Sequence, residues 1–380
     1  EHLRQMPEDY LMTASSEEVA LHIRLIRSFK DKLFILHHQF HEEGNYHNLT
    51  LCCPIGNEAF KKLGHDTYKF SWKEYFRYCQ STNYNVHHHH NIRYFFCKLQ
   101  NKFSFGPILN QINKDFIASA KEIKPDLIFI YTGRHICASS IEKIKQDSNC
   151  KIYAYNNDDP FSEGYSPYFW RHYKESLPYC DHVFSFRHKN IDDYKNIGIK
   201  KTSLLRFYYI SKNIFPIVNI EKKHDVVFIG HFENDGRDDI LKYLIENKIN
   251  IKLFGSSWEK SKHYNFFVSM MGCKITPIVG EAYNRMINES KIALVFLSKL
   301  NNDTYTTRCF EIPATKTMMI SEYTNDLFKM FKEGKEVEFF RNKKELLEKL
   351  EFYLRNPNSI CKIAEAGFCR VVKDGYEVKD

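Results

Sequence analysis

Two successive series of strand-sized apolar runs, each alternating with helical patterns, constrain this chain more than any other feature. The first series includes Asp126-Leu-Ile-Phe-Ile-Tyr131, Lys151-Ile-Tyr-Ala-Tyr155, His182-Val-Phe-Ser-Phe186 and a short run over 202–207. Helical stretches at 141–146 and 191–197, the latter closed by Gly198, lie between them. Residues 208–223 lack clear periodicity, contain Pro216 and read as a linker. The alternation then restarts with Asp225-Val-Val-Phe-Ile229, Ile251-Lys-Leu-Phe254, Lys291-Ile-Ala-Leu-Val-Phe-Leu297 and Met318-Met-Ile-Ser321, with helices expected at 238–247 and 283–290. Strands joined by helical crossovers form parallel sheets, so two such series around a linker predict an α/β protein with two parallel-sheet domains. Ligands of such sheets bind beyond the carboxyl ends of the strands. If the two domains face each other, the best site lies in a central cleft.

Length agrees, since 380 residues exceed one ordinary core. Apolar residues at 43% and charged residues at 27% describe a globular chain and exclude a disordered tail or a collagen. No apolar run approaches the roughly 18–20 residues needed to span a bilayer. The formal charge of +8 suits a nucleotide, an anionic small substrate or an acidic membrane surface and selects none of them. Residues 1–54 carry five Lys/Arg against eight Asp/Glu, which leaves +11 on the remainder. Eleven scattered Cys with no Cys-x-x-Cys pair, and no secretory pattern near the start, predict reduced thiols in a cytoplasmic protein. The sequence opens on Glu1 rather than Met, so an earlier segment is expected.

Ahead of the first series, Ser15-Ser-Glu-Glu18 is a capping box for a helix with Val19, Ile23, Ile26 and Phe29 on one side. Leu33–Leu36, Asn48–Cys52 and Asp66–Phe70 read as strands, and Asn57–Leu63 as a short helix stopped by Gly64. Residues 71–122 are aromatic, polar and mostly helical. Near the end, Asn342-Lys-Lys-Glu345 is a second capping box, with Leu346, Leu350 and Tyr353 on one face.

Four segments offer chemistry. Between a buried strand and the next strand stands Asn302-Asp-Thr-Tyr-Thr-Thr-Arg308-Cys-Phe-Glu311-Ile-Pro-Ala-Thr-Lys316, with a helix opening at about Phe310. A carboxylate at a helix start is stabilised by the macrodipole and can accept two ribose hydroxyls; Arg308 can pair with a phosphate. Equally, Glu311 can be a cap with Arg308 as its ion-pair partner. Gly230-His-Phe-Glu-Asn-Asp-Gly236-Arg237 links a strand to a helix. Its backbone amides and Arg237 could offset a diphosphate, or it could be an ordinary turn. Tyr155-Asn-Asn-Asp158-Asp159-Pro160 ends a strand with adjacent carboxylates, suited to acceptor binding, to acid/base work or to an Asx turn. Gly133-Arg134-His135 closes another strand on the same side, with His135 a candidate for touching the transferred sugar or for lying on the surface. His87-His-His-His90 has no ligand-spaced Cys or carboxylate nearby and reads as a polar loop, so no metal is assigned.

The run Arg308-x-Phe-Glu-Ile-Pro-Ala, the strand ending Ser321-Glu-Tyr, Asp326-Leu-Phe328 and Glu333-Gly-Lys-Glu336 resembles the CgeB-type (spore maturation protein-like) glycosyltransferases. These are GT-B enzymes distantly similar to glycosyltransferase family 4. The resemblance extends over roughly residues 55–380. It takes in Tyr283–Ser298, Ile363-Ala-Glu-Ala-Gly367 and, more weakly, Asn57–Trp72, Pro125–Tyr131 and Asn157–Pro160. It implies two Rossmann-like domains facing a central cleft: an acceptor domain at 55–207, a linker at 208–223 and a nucleotide-sugar donor domain at 224–380. The final helices are expected to pack back toward the first domain. It also implies a metal-independent, retaining transfer from a nucleotide-sugar donor, without a cofactor, to a glycan, lipid-linked glycan or protein hydroxyl. Nucleic acid is not an expected partner; the inner membrane surface is, peripherally. His135, Asp158 and Asp159 fall on the acceptor and catalytic side. Gly230, His231, Arg237, Tyr283, Asp303, Arg308, Glu311 and Lys316 fall on the donor side, with Glu311 as the second carboxylate of a Glu-x7-Glu pair. Asp303 stands where the first Glu is usual, and Lys316 where Gly is usual. These departures leave a nucleotide-binding protein without turnover as the alternative. Residues 1–54 fall outside the family and faintly resemble the segment leading into the ACT domain of PII uridylyltransferases. On that reading, Leu49–Gly56 replaces the first strand and loop of the GT-B fold.

Overall fold

The computed structural model describes residues 32–37 (backbone only), 60–61, 65–76 and 92–376. The chain divides into two compact units, Glu1–Arg206 and Phe207–Asp380.

The first unit carries a six-stranded, all-parallel sheet. Its strands are β1 (Lys32–His37), β2 (Asp66–Ser71), β3 (Leu127–Tyr131), β4 (Lys151–Asn156), β5 (His182–Ser185) and β6 (Thr202–Leu204), in the order β2-β1-β3-β4-β5-β6. The helices are α1 (Ile92–Phe103), α2 (Pro107–Ile123), α3 (Ala138–Asp147), α4 (Arg171–Ser176) and α5 (His188–Asn196). The run Leu-Ile-Phe-Ile-Tyr of β3 has no polar alternation because an inner parallel strand is covered on both faces. Leu109, Ile112, Phe116 and Ala120 recur at helical spacing on α2 and are buried, the last three in a core with Trp72, Phe76, Ile128 and Ile152. A second cluster holds Trp170, Tyr173 and Tyr194, where the two tyrosine hydroxyls lie 3.1 Å apart.

One expectation is corrected here. The first domain is expected at 55–207, yet Lys32–His37 is an interior strand of its sheet, hydrogen-bonded to β2 and β3. An apolar run announces a strand but not which sheet takes it, and β3 needed a parallel neighbour on this side. The capping box at 15–18, the strand at 48–52, most of the helix at 57–63 and His87–His90 lie outside the described residues.

The second unit repeats the plan with β7 (His224–Ile229), β8 (Ile251–Phe254), β9 (Ser290–Val295), β10 (Met318–Glu322) and β11 (Glu338–Phe340), parallel and ordered β11-β10-β9-β7-β8. Its helices are α6 (Arg237–Glu246), α7 (Tyr264–Met271), α8 (Gly280–Asn288), α9 (Arg308–Ala314), α10 (Asn325–Met330), α11 (Lys343–Arg355) and α12 (Pro357–Lys373). Asn342 caps α11, its Oδ1 accepting from the amides of Lys344 and Glu345. The core gathers Phe228, Trp258, Phe267, Phe296 and Met318 with Leu346, Leu350 and Tyr353 of α11.

The segment at 208–223 is fastened to this unit rather than free. The amides of Phe215 and Ile217 donate to Asn284 and Asn288, and Lys222 Nζ donates to Thr317. The two ends of the unit also meet. The Tyr209 amide donates to the Tyr376 carbonyl (2.8 Å), and the Tyr376 ring stacks on Phe310 of α9 at 4.5 Å.

Candidate functional site

In the second sheet, β8 lies on one side of β7 while β9, β10 and β11 lie on the other, so the strand order reverses between β7 and β9. The crevice beyond the carboxyl ends at such a reversal is where α/β sheets hold ligands. Two loops border it: 230–236 after β7 and 296–307 after β9, the second leading into α9.

The first loop is built on a close backbone approach. The Gly230 amide donates to the Phe254 carbonyl, its own carbonyl accepts from Trp258 Nε1, and a Cβ at Gly255 would stand 1.9 Å from the Gly230 oxygen. Only glycine fits there. Past it, His231 Nε2 lies 2.7 Å from Glu233 Oε1. Burial would raise the Glu233 carboxyl, but His231 and Arg237 outweigh it and hold the group down at about 2.

Arg237 departs from expectation. Read as a phosphate ligand, it is buried and its fork is filled from within the protein. Nε and Nη2 donate to the two carboxylate oxygens of Asp235 (2.9 and 2.7 Å). Nη1 donates to the His231 carbonyl (2.9 Å), and Nη2 also reaches the Leu297 carbonyl (3.4 Å) across the crevice. An Asp two residues earlier in a turn reaches the guanidinium before any external anion does. Arg237 therefore braces both loops of the crevice.

The second loop is held at its root by Glu322, whose Oε2 accepts from the Leu297 amide (2.7 Å) while Lys299 pairs with the same carboxylate. The Asp303 amide donates to the Ser298 carbonyl, which folds the loop back before α9. Helix α9 opens at Arg308, two residues earlier than expected. Glu311 occupies its first turn and is 5% exposed. The Tyr283 hydroxyl of α8 donates to Glu311 Oε2 at 2.6 Å. No other side-chain hydrogen bond reaches this carboxylate among the described residues, so acceptor capacity remains on it. Burial raises its pKa from the ordinary value, and the Tyr283 hydrogen bond and the nearby Arg308 charge act against that rise. The Arg308 side chain makes no hydrogen bond or ion pair among the described residues. The alternative of an Arg308–Glu311 ion pair is thus not what the structure shows, and this cation stands beside an incompletely satisfied carboxylate.

Tyr283, Arg308 and Glu311 are therefore brought together, and Gly230, His231 and Arg237 form the neighbouring loop. Lys316 is not with them. It follows the carboxyl end of α9 and leads toward the start of β10. Its φ of 55° shows why glycine is the usual residue in this turn, and its amine pairs with Glu365 (2.9 Å) above the Phe368 ring of α12.

In the first unit the order reverses between β1 and β3, and the Thr132–Cys137 loop after β3 borders that point. His135 is 1% exposed, not a surface residue, and its ring packs on Phe76 (4.9 Å) and Trp72 (6.1 Å). Asp159 is wholly buried. Its Oδ1 accepts from the Phe161 amide (2.9 Å) and from Asn190 Nδ2 (2.7 Å), while Oδ2 faces Lys189 (3.4 Å). These bonds give it the Asx-turn role and tie the turn to α5. Asp158 stays partly exposed, its amide donating to Asn156 Oδ1. Glu233, Asp235, Glu322 and Glu365, which sequence reasoning did not single out, fix these loops. Only the Asp235-x-Arg237 spacing signalled any of them.

Among the described residues, no group of three or more His, Cys, Asp or Glu is gathered as a metal site, and no helix is long and apolar enough to cross a membrane.

Comparison with known proteins follows the same division. Residues 237–378 match the family whose description is glycosyl transferase-like, so the second unit carries a glycosyltransferase domain. The chain as a whole has the GT-B fold. It superposes on sucrose-phosphate synthase from Thermosynechococcus elongatus with a TM-score of 0.65 and 12% identity, over 92% of this chain and 95% of that one. It superposes on Anabaena HepE in complex with UDP-glucose at 0.62 and 9%, over 91% and 96%. A glycosyltransferase from Rickettsia africae ESF-5 gives 0.56 and 13%, over 92% and 95%. No curated protein matches the sequence.

Proposed function

We propose that this protein transfers a sugar from a nucleotide-diphosphate sugar to an acceptor hydroxyl. The observation that carries the reading is Glu311: a buried carboxylate in the first turn of α9, held on one oxygen by Tyr283 and left with acceptor capacity. A ribose diol is the matching donor of two hydrogen bonds. Arg308 would lie toward the diphosphate, and the amides opening α6 would add positive potential, so the leaving group is stabilised without a metal. The UDP and UDP-glucose held by the HepE structures support a uridine donor. The motif around Glu311 supports a CgeB-like subfamily and a retaining reaction. The first unit would present the acceptor, a glycan, lipid-linked glycan or protein, from the loops after β3 and β4, with Asp158 the more accessible of its two carboxylates. Free cysteines throughout the described residues suit action in the cytoplasm.

Glu311→Ala is expected to weaken UDP binding by about 1–3 kcal/mol, the cost of losing charged hydrogen bonds. Calorimetry that finds unchanged affinity would refute the ribose assignment. One observation favours a second reading, nucleotide binding without turnover: Arg237 is spent on Asp235. Tight UDP-glucose binding with no release of glucose to water or any acceptor would establish that alternative.

A further inference from the structure

Helix α1 turns its apolar side outward. Cys97 is its buried residue, with Sγ 3.8 Å from the Phe76 carbonyl, so this side faces the protein. At about 100° per residue, Ile92, Phe95, Phe96 and Leu99 lie together on the other side. Ile92 is 69% exposed, Phe95 61% and Phe96 51%, and Phe105 just beyond the helix is exposed too. Single exposed apolar residues are ordinary, but several on one side of three helical turns form a patch. Cations border it: Arg93 on one flank, Lys98 and Lys102 on the other. The helix contains no Asp or Glu. Lys98 reaches over the Tyr94 ring and Lys102 over Phe103, so their stems extend the apolar surface while their charges stay in water.

We propose that α1 is a surface on which the protein docks to an anionic lipid bilayer, with Ile92, Phe95 and Phe96 entering the headgroup boundary and Lys98 and Lys102 lying against lipid charge. A narrow apolar stripe edged by cations on both flanks is the pattern of a helix lying in a membrane interface. A second copy of the same face would set cations against cations. The chain's +8 charge adds to the attraction. No described helix is long and apolar enough to cross a bilayer. The inference does not rest on the sugar-transfer reading, because no residue of α1 belongs to the Glu311 site.

The test is sedimentation of the full chain with vesicles of phosphatidylcholine alone or mixed with phosphatidylglycerol, at low and high salt. The native chain is expected to sediment with the mixed vesicles at low salt, to stay in solution with phosphatidylcholine alone, and to be released in part by salt. Phe95→Ser with Phe96→Ser should abolish sedimentation, and Lys98→Gln with Lys102→Gln should weaken partitioning about tenfold or more. All four side chains are exposed, and circular dichroism checks that each variant folds; should the phenylalanine variant fail that check, the lysine variant decides. Glu311→Ala should sediment like the native chain. The proposal is overturned if the native chain ignores mixed vesicles, if a folded double variant sediments unchanged, or if Phe95 and Phe96 instead hold a dimer that light scattering detects and vesicles do not displace.

Discussion

Glu311 costs the fold stability in order to stand where it does. Burial raises its pKa, so the folded state binds its proton more tightly than the unfolded chain. That contribution is fully present below the unfolded value of 4.5 and is lost as pH rises through the higher folded value. At neutral pH the charged carboxylate therefore works against folding, relieved in part by Tyr283 and Arg308. Glu311→Gln is expected to melt above the native protein at about pH 7, with the gap closing toward about pH 4. Melting curves that coincide at neutral pH would contradict this account. A ligand that donates to the charged form should bind more weakly as the medium turns acid. The type and place of Glu311 were legible in the sequence, because a helix start next to Arg is a local pattern. Its Tyr283 partner, 28 positions away, was a candidate only through family resemblance. His135 and Asp159 show the reverse: each type suggested chemistry, but packing against Trp72 and Phe76, and bonds to Phe161 and Asn190, are decided through space.

At the scale of elements, the loop from β7 to α6 owes its shape to a buried ion pair. Removing the guanidinium leaves Asp235 uncompensated beside Glu233, so Arg237→Ala should destabilise the second unit by about 3–5 kcal/mol. Arg237→Lys should recover little, since an ammonium cannot replace two parallel bonds. Urea unfolding followed by Trp258 fluorescence reads this. Native stability joined to lost UDP affinity would return Arg237 to the phosphate. Strands were easier to foresee than helices here, because buried parallel strands are unbroken apolar runs. The seventeen residues of α12 were seen only as the fragment Ile363–Gly367. Gly367 argues against a helix in a sequence, but a Cβ there would lie 2.4 Å from the Glu336 carbonyl. Tertiary contact, not helix propensity, chose the residue.

For the whole molecule, the place of β1 decides what can be removed. A segment whose charge differs from the rest of the chain reads as separable, and composition cannot reveal that six of its residues fill the middle of a sheet. Deleting residues 1–54 strips β2 of its partner and β3 of one neighbour. The shortened chain is expected to lose the calorimetric transition of the first unit and keep that of the second. Two intact transitions would show that the strand is dispensable. The carboxyl end has a different kind of reach. Tyr376 stacks on Phe310, the residue next to Glu311, and its carbonyl receives the amide of Tyr209. Whatever is appended to the tail is thus anchored one aromatic ring from the helix that bears the carboxylate, and a tag or fused partner placed there pulls on the residue beside Glu311.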